Sequence, residues 1–354
     1  MAPSSPAAPP QRQRLVVSGL GAVGGALLDL LRDRADDLRT RHGLVLTVVG
    51  AVDSRGAAVA PSGLEPAAVL AHKAAGSSVA ALPGAGRPGL GVPGVLAELG
   101  DGVDVLVEAG AGDLVDGGAG LVAVLEARSR GLDVVLANKA PLVLAWDAVT
   151  SPGAGGVRYS ACAGGAVPTV DAGRRLLASA TALRVEAALN STCNLVLRLV
   201  EDGASVADAV AEAQRRGVAE PDPSTDVDGW DAAVKLVLVA RAVLDHPAAL
   251  ADVDVTGIRD VDPAELSAAR ERGEAVVLLG LAERAGPGEG WRLSVRPTAL
   301  PREHPLARME PEEQGVVFTT DVAGRLAVTG LAPDAVPTAA SVLRDLVDLA
   351  TGGR

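Results

Sequence analysis

Apolar and polar positions fall into two alternating periodicities over the first part of the chain. A short apolar run at residues 14–18 (RLVVS) is followed by GLGAVGG and then by Leu27, Leu28, Leu30 and Leu31, spaced as on one helix face. Residues 45–52 predict a second buried strand, ending at Asp53-Ser54-Arg55-Gly56. Gly, Pro and Ala dominate from about 61 to 93, with short helices expected near 65–75. Residues 103–108 (VDVLVE) predict a third strand, 121–129 a helix, and 134–137 a fourth strand that runs into Asn138-Lys139-Ala140-Pro141-Leu142. Strands alternating with helices in this way predict an α/β fold with a doubly wound parallel sheet.

After about residue 150 the pattern changes. Residues 182–190 predict a strand, and Ser205 with Asp208 three positions on predicts a capped helix that Gly217 ends. A second helix is expected over 229–244, with Ala233, Leu236, Val237, Ala240 and Val243 as one apolar stripe. Strands are expected at 275–279, 292–296, 315–319 and 326–329, which makes this block an α+β domain, and a closing helix at about 338–349 is expected to return to the first domain. The resulting boundaries are a disordered tail at 1–13, a doubly wound domain at 14–150, a second domain at 151–330, and a returning segment at 331–354.

Composition narrows the function classes. A chain of 354 residues accommodates two domains of roughly 150 residues each. With three Trp, one Tyr and one Phe, its core must be built from Val, Leu and Ala. A net charge of −12 argues against nucleic-acid and anionic-membrane partners, which require basic faces. No apolar run is long enough to span a membrane, and the Pro- and Ser-rich start has no signal-peptide core, so the expected compartment is the cytoplasm. Cys162 and Cys193 have no CxxC spacing and suit a reducing environment, and four scattered His give no zinc site.

The glycine loop carries the first candidate chemistry. Gly19, Gly21 and Gly24 follow a strand and open a helix, with Ala22 and Val23 between the last two. In that context glycine permits a tight turn, a close backbone approach to a pyrophosphate, and close helix–strand packing, as in Rossmann-type sheets. Asp53, at the end of the second strand, is placed to bond a ribose and favour NAD. Arg55 is alternatively placed to clamp a 2′-phosphate and favour NADP, so the choice of cofactor is open.

The second candidate site is the stretch from Glu220 to Lys235. Glu220, Asp222, Asp226, Asp228 and Asp231 are five carboxylates along a Pro-punctuated loop that enters a helix carrying Lys235. Asp231 and Lys235 share a helix face, and acids around one lysine suit a cationic substrate amine and a proton-transfer group. The same residues also fit an ordinary helix start, with Asp228 as N-cap, Asp231 as a capping-box acid, and Lys235 as a surface ion-pair partner.

This stretch resembles the substrate signature of homoserine dehydrogenases, in which E-P-D-P leads through D-x-x-G-x-D to a lysine. Asn138–Leu142 resembles the family's A-N-K-x-P-L turn, Cys162–Pro168 its Gly-rich loop, and Asn190-Ser191-Thr192-Cys193-Asn194 its N-G-T-x-N turn. His304–Ala307 and Pro337–Ala340 also have counterparts, so the resemblance covers about residues 14 to 350. It implies NAD(P)-dependent interconversion of L-homoserine and L-aspartate 4-semialdehyde in threonine and methionine biosynthesis, by a homodimer joined through the second domain. Glu220 and Asp226 would then hold the substrate amino group, with Thr192 and Asn194 on the substrate side. Asp231 and Lys235 would stand at the reacting oxygen, and Lys139 would be a second lysine, with Asn138 and Lys139 beside the cofactor. A related dehydrogenase of another amino alcohol or aldehyde, or a catalytically silent NAD(P)-binding sensor, are the competing functions.

Three departures from the family pattern stand out. Ser160 replaces the Glu that precedes the Gly-rich loop, where some relatives hold a monovalent cation, so whether Na+ binds is open. Ser191 replaces the Gly of the N-G-T turn, and residues 330–335 (GLAPDA) keep Gly330 but lack the later glycines of a G-x-G-A-G-like loop that faces the cofactor in the family. The length leaves no room for a regulatory extension, so no threonine feedback through such a domain is expected.

Overall fold

β1 (Gln11–Ser18) is the middle strand of the first of two units in the computed structural model, which describes residues 9–153, 155–286, 289–332 and 334–352. That unit is Met1–Ala161 with Ala335–Arg354, and the second is Cys162–Asp334. The first boundary therefore falls at Ala161 rather than near 150, and the second at Asp334 rather than 330. Gln11–Gln13 belong to β1 instead of the expected tail, and residues 1–8 lie outside the described residues.

In the first unit β1 is followed by α1 (Ala22–Asp33), α2 (Ala35–His42), β2 (Leu44–Asp53), β3 (Gly56–Val59), α3 (Pro66–Ala74), β4 (Gly86–Pro88) and α4 (Val92–Leu99). Then come β5 (Val105–Glu108), α5 (Gly118–Ser129), β6 (Asp133–Leu136), α6 (Ala140–Leu144), α7 (Trp146–Thr150) and β7 (Val157–Arg158). The sheet order is β4-β3-β2-β1-β5-β6-β7. β1 pairs in parallel with β2 and β5, and the parallel set continues through β6 and β7, while β3 and β4 add an antiparallel edge.

Burial on both faces explains why the strands read as continuous apolar runs. Leu15 and Val17 pack with Leu27, Leu28 and Leu31 of α1 and with Ala339, Val342 and Leu346 of the closing helix, Val336–Thr351. Val16 faces the other way, beside Val95 of α4. A Cβ on Gly50 would come within 2.9 Å of Val95 and 3.2 Å of Val16, so glycine lets α4 seat against β2. The chain leaves β1 toward β2 on one side and later returns to β5 on the other. That reversal puts a crevice at the carboxyl ends of the strands, where such sheets bind ligands.

The second unit contains α8 (Thr169–Leu177), β8 (Ala182–Ala188), α9 (Ser191–Glu201), α10 (Val206–Arg215), α11 (Ser224–Val227) and α12 (Trp230–Val243). It continues through β9 (Val253–Val255), α13 (Pro263–Glu271), β10 (Glu274–Arg284), β11 (Trp291–Pro301), β12 (Glu313–Thr320) and β13 (Arg325–Leu331). Its six-stranded sheet runs β13-β12-β8-β10-β11-β9. All neighbours are antiparallel except β9 with β11. Ala188, Val277, Leu279, Leu300 and Val317 pack under Leu306 and Met309.

Two details differ from expectation. α12 is buried nearly all round, with Ala232, Val234, Leu238 and Val239 buried as well as the anticipated stripe, so Asp231 and Lys235 form a polar notch in an otherwise apolar helix. In α8, Gly173 sits inside a helix that propensity disfavours. A Cβ there would lie 2.9 Å from Phe318, the chain's only Phe and fully buried, and 2.5 Å from Val243. The glycine is the notch that receives Phe318, the largest fully buried side chain among the described residues.

Candidate active site

The glycine loop divides its labour. Gly19 has φ +86°, and a Cβ on it would lie 2.2 Å from Gly110 N, while one on Gly24 would lie 1.9 Å from Gly19 O. Both are closed by backbone packing. Gly21, the N-cap of α1, has nothing within 4 Å of its missing Cβ. The amides of Ala22, Val23 and Gly24 precede the first intrahelical bond, from Gly25 N to Gly21 O at 2.8 Å. An open glycine beside unsatisfied N–H groups at a helix start fits a dinucleotide pyrophosphate.

Asp53 reaches the same end of the sheet, but its carboxylate is occupied. Oδ2 accepts Lys73 Nζ at 2.9 Å and Val79 N at 3.1 Å, and Oδ1 accepts Ser78 Oγ at 2.7 Å and Arg55 N at 3.0 Å. Burial pushes this acid's pKa up, but the Lys73 and Ser78 bonds and the two amides outweigh it and hold the carboxyl well below its ordinary value. Arg55 is exposed, with its guanidinium against Gly76 O at 3.3 Å.

Asn138 and Lys139 follow β6. Asn138 is buried and built into the unit: Nδ2 donates to Glu108 Oε1 at 3.2 Å and Oδ1 accepts Ala140 N at 3.1 Å. Lys139 is partly buried as the N-cap of α6.

Glu108, at the end of β5, is 1% exposed. Burial raises its pKa despite the Ser18 hydroxyl, the Gly110 amide and the Asn138 amide. The folded state therefore binds this proton more tightly than the unfolded chain, so stability falls as pH rises from the ordinary glutamate value through the raised one. Glu108→Gln removes that loss. Its melting temperature should match wild type in acid and exceed it above neutral pH, where wild type carries the buried charge. Parallel melting curves at all pH values would contradict this.

Ser160 is tied to the closing helix. Its N and Oγ donate to Asp345 Oδ2 and Oδ1 at 2.8 and 2.6 Å. The position thus offers no side-chain acid to a monovalent cation. Among the described residues no group of three or more His, Cys, Asp or Glu side chains could hold a metal ion.

In the second unit, three elements converge on one polar cluster. Lys235 Nζ lies 2.8 Å from Asp231 Oδ2, one helical turn away, and donates to Leu189 O at 2.5 Å. The side chains are only 12% and 14% exposed. An ammonium has three N–H bonds, so one is left uncommitted among the described residues. Asp226, on α11, faces the same point. Burial and then repulsion by Asp231 raise its pKa, while Asn190, Lys235 and Thr192 draw it back. Thr192 Oγ1 donates to Val218 O at 3.2 Å.

The five carboxylates do not gather round the lysine. Asp228 turns to Arg259, 2.7 Å from its Nε, and Asp222 accepts from Ser224. Glu220 is exposed, and its carboxylate makes no hydrogen bond or ion pair among the described residues. The N-cap of α12 is Gly229, at φ +87°, not Asp228, and Asp231 is the second helical residue rather than a capping-box acid. Asn194 also lies apart, donating to Glu313 O at 2.8 Å and lining a small cavity with Leu306 and Met309.

Asn190 was not anticipated as a site residue. It caps α9 where a turn was expected, with Oδ1 accepting Cys193 N at 2.8 Å. Its position before a Ser-Thr pair was the available signal. Cys162 and Cys193 are buried and form no disulfide among the described residues.

Relatives fit this chemistry. A family model described as homoserine dehydrogenase matches residues 168–347. The chain is 30% identical over 339 residues to the homoserine dehydrogenase of Methanocaldococcus jannaschii, spanning 95% of this chain and 98% of that one. It is likewise 30% identical over 340 residues to the NAD(+)-dependent homoserine dehydrogenase of Pseudomonas canavaninivorans, spanning 95% and 96%. The solved structure of a homoserine dehydrogenase from Thiobacillus denitrificans aligns with a TM-score of 0.79 at 30% identity, covering 96% of this chain and 74% of that one. With its glycine loop at a parallel-sheet crevice and its Asp–Lys notch in a buried helix, the chain belongs to the homoserine dehydrogenase family.

Proposed function

We propose that the chain catalyses the NAD(P)-dependent interconversion of L-homoserine and L-aspartate 4-semialdehyde. The observation that carries this is the Asp231–Lys235 pair, held in an apolar helix with one lysine N–H to spare. The bound nicotinamide supplies or accepts the hydride. Lys235 binds the hydroxyl or aldehyde oxygen, stabilises the charge that develops there and moves its proton, while Asp231 fixes the ammonium. Asp226 holds the substrate ammonium, supplemented by Glu220 and the Thr192 side of the cluster. Lys139, from the nucleotide-binding unit, is assigned the second lysine. The assembly is assigned as a homodimer joined through the second unit, in the cytoplasm, which suits two buried cysteines that form no disulfide among the described residues.

NADP is the proposed preference. With Asp53 saturated by its own unit, a ribose 2′-hydroxyl finds no free acceptor there, whereas exposed Arg55 suits a 2′-phosphate. The test is nicotinamide absorbance with L-homoserine and each cofactor. Arg55→Ala should raise KM for NADP about tenfold, the loss of about 1.4 kcal/mol expected for one charge-assisted contact, and leave NAD nearly unchanged. An unaltered KM for NADP would remove Arg55 from the cofactor site. A folded, cofactor-binding wild type that leaves homoserine untouched would refute the substrate assignment.

A further inference from the structure

We infer that Asn190 is the positioning residue of this site, a neutral clamp that sets the separation and ionisation of the two carboxylates flanking Lys235. The inference rests on the proposed roles of Asp226, Asp231 and Lys235. Asn190 is 4% exposed at the end of the segment leading from β8 into α9. As the N-cap, its Oδ1 accepts Cys193 N at 2.8 Å. With the oxygen committed, Nδ2 faces the opposite way and spends both hydrogens on the site: one on Asp226 Oδ1 at 2.7 Å and one on Asp231 Oδ2 at 3.0 Å. The reverse orientation would set the amide oxygen against two carboxylates and an NH2 against the Cys193 N–H, so the helix cap dictates which way the clamp points.

The neighbouring backbone completes the hub, since Leu189 O takes the Lys235 ammonium at 2.5 Å. Two consecutive residues therefore locate the base of the site on elements that are far apart in sequence. The titratable groups facing Asn190 are Asp226 from α11, Asp231 and Lys235 from α12, and the Cys193 thiol, while Asp228 is drawn off to Arg259. A cation at position 190 would also bridge the carboxylates, but it would cancel the negative charge that a substrate ammonium needs. An amide holds them at hydrogen-bond distance and leaves that charge in place. Asn190 has no donor left for substrate, so it acts through Asp226 and Asp231.

Asn190→Ser separates the two functions of the residue. A serine hydroxyl still caps α9, because Ser is as good an N-cap as Asn, but it lacks the two donors. Three readouts are taken on the whole protein. The Ser variant should keep helix content and melt only a few degrees below wild type at neutral pH, the loss linked to a higher Asp226 titration, and at the wild-type temperature in acid. Its KM for L-homoserine at neutral pH should rise about tenfold or more, with KM for the cofactor unchanged. The Asp226 carboxyl, followed by carbon NMR without substrate, should titrate about one pH unit higher, with the acid limb of kcat/KM moving up alongside it. Asn190→Asp keeps both shape and cap but places a third acid at the clamp, and should move the same titration further upward, which serves if the Ser variant folds poorly. Wild-type titration of Asp226 in either folded variant overturns the inference, and a lowered melting temperature as the sole change would leave Asn190 as a cap only. The NMR readout needs no turnover. A wild type inactive on homoserine would thus refute the substrate assignment while the clamp is still judged on Asp226.

Discussion

Lys235→Ala should lower turnover of L-homoserine by at least about a hundredfold, the usual contribution of a positioned acid–base group. Two causes act together. The substitution removes the donor proposed to meet the reacting oxygen, and it leaves Asp231 and Asp226 facing each other without their cation. Unpairing a largely buried charge costs stability as well, about 3 kcal/mol in comparable cases, so activity must be compared at a temperature where the variant is folded. Lys235→Arg separates the causes. Arginine keeps the charge and the Asp231 partner but does not give up its proton in the working range. It should restore stability while kcat stays about a hundredfold down. Either variant retaining kcat within about tenfold of wild type would show that the proton is handled elsewhere.

The residues that could be found from sequence are those whose role depends on local spacing. Gly19, Gly21 and Gly24 sit between an apolar run and a helical leucine pattern, and that order places two glycines closed by backbone packing, Gly19 and Gly24, around one that is open, Gly21. Asp231 and Lys235 are likewise one helical turn apart and pair as spacing predicts. What could not be read depends on partners distant in the chain. The acids of the Glu220–Asp231 stretch look equivalent in sequence, yet Arg259 removes Asp228 from the cluster and only Asp226 joins Asp231. Asn190 resembled a turn residue, because its two carboxylate contacts come from α11 and α12.

The missed elements follow the same logic. α2 (ADDLRTRH) buries only Leu38 and carries no apolar stripe, so its own charges and the packing of that leucine decide it. β3 and β4 are four and three residues long, and sheet pairing rather than propensity makes them strands. The all-round burial of α12 was read as a single stripe, since alanine and valine on the other faces do not announce what will cover them.

The glycine loop makes the sharpest contrast between stability and binding. Gly24→Ala puts a methyl carbon 1.9 Å from Gly19 O, a backbone atom held in turn by φ +86° at Gly19 and by Gly110. Neither neighbour yields cheaply, so the variant should lose more than about 3 kcal/mol and the cofactor with it. Gly21→Ala puts its methyl into space empty to 4 Å, at φ −78°, which alanine adopts freely. The melting temperature should move little, because Ala for Gly at an N-cap costs at most about 1 kcal/mol. On the proposed binding of a pyrophosphate at the open side of Gly21, cofactor affinity should nevertheless fall at least about tenfold. Thermal melts and cofactor titrations of the two variants therefore separate glycine needed by the fold from glycine needed by the ligand. A Gly21→Ala protein that binds NADP like wild type would place the pyrophosphate away from the α1 N-terminus, whereas a stable Gly24→Ala protein would show that the β1–α1 turn relaxes by more than its contacts allow.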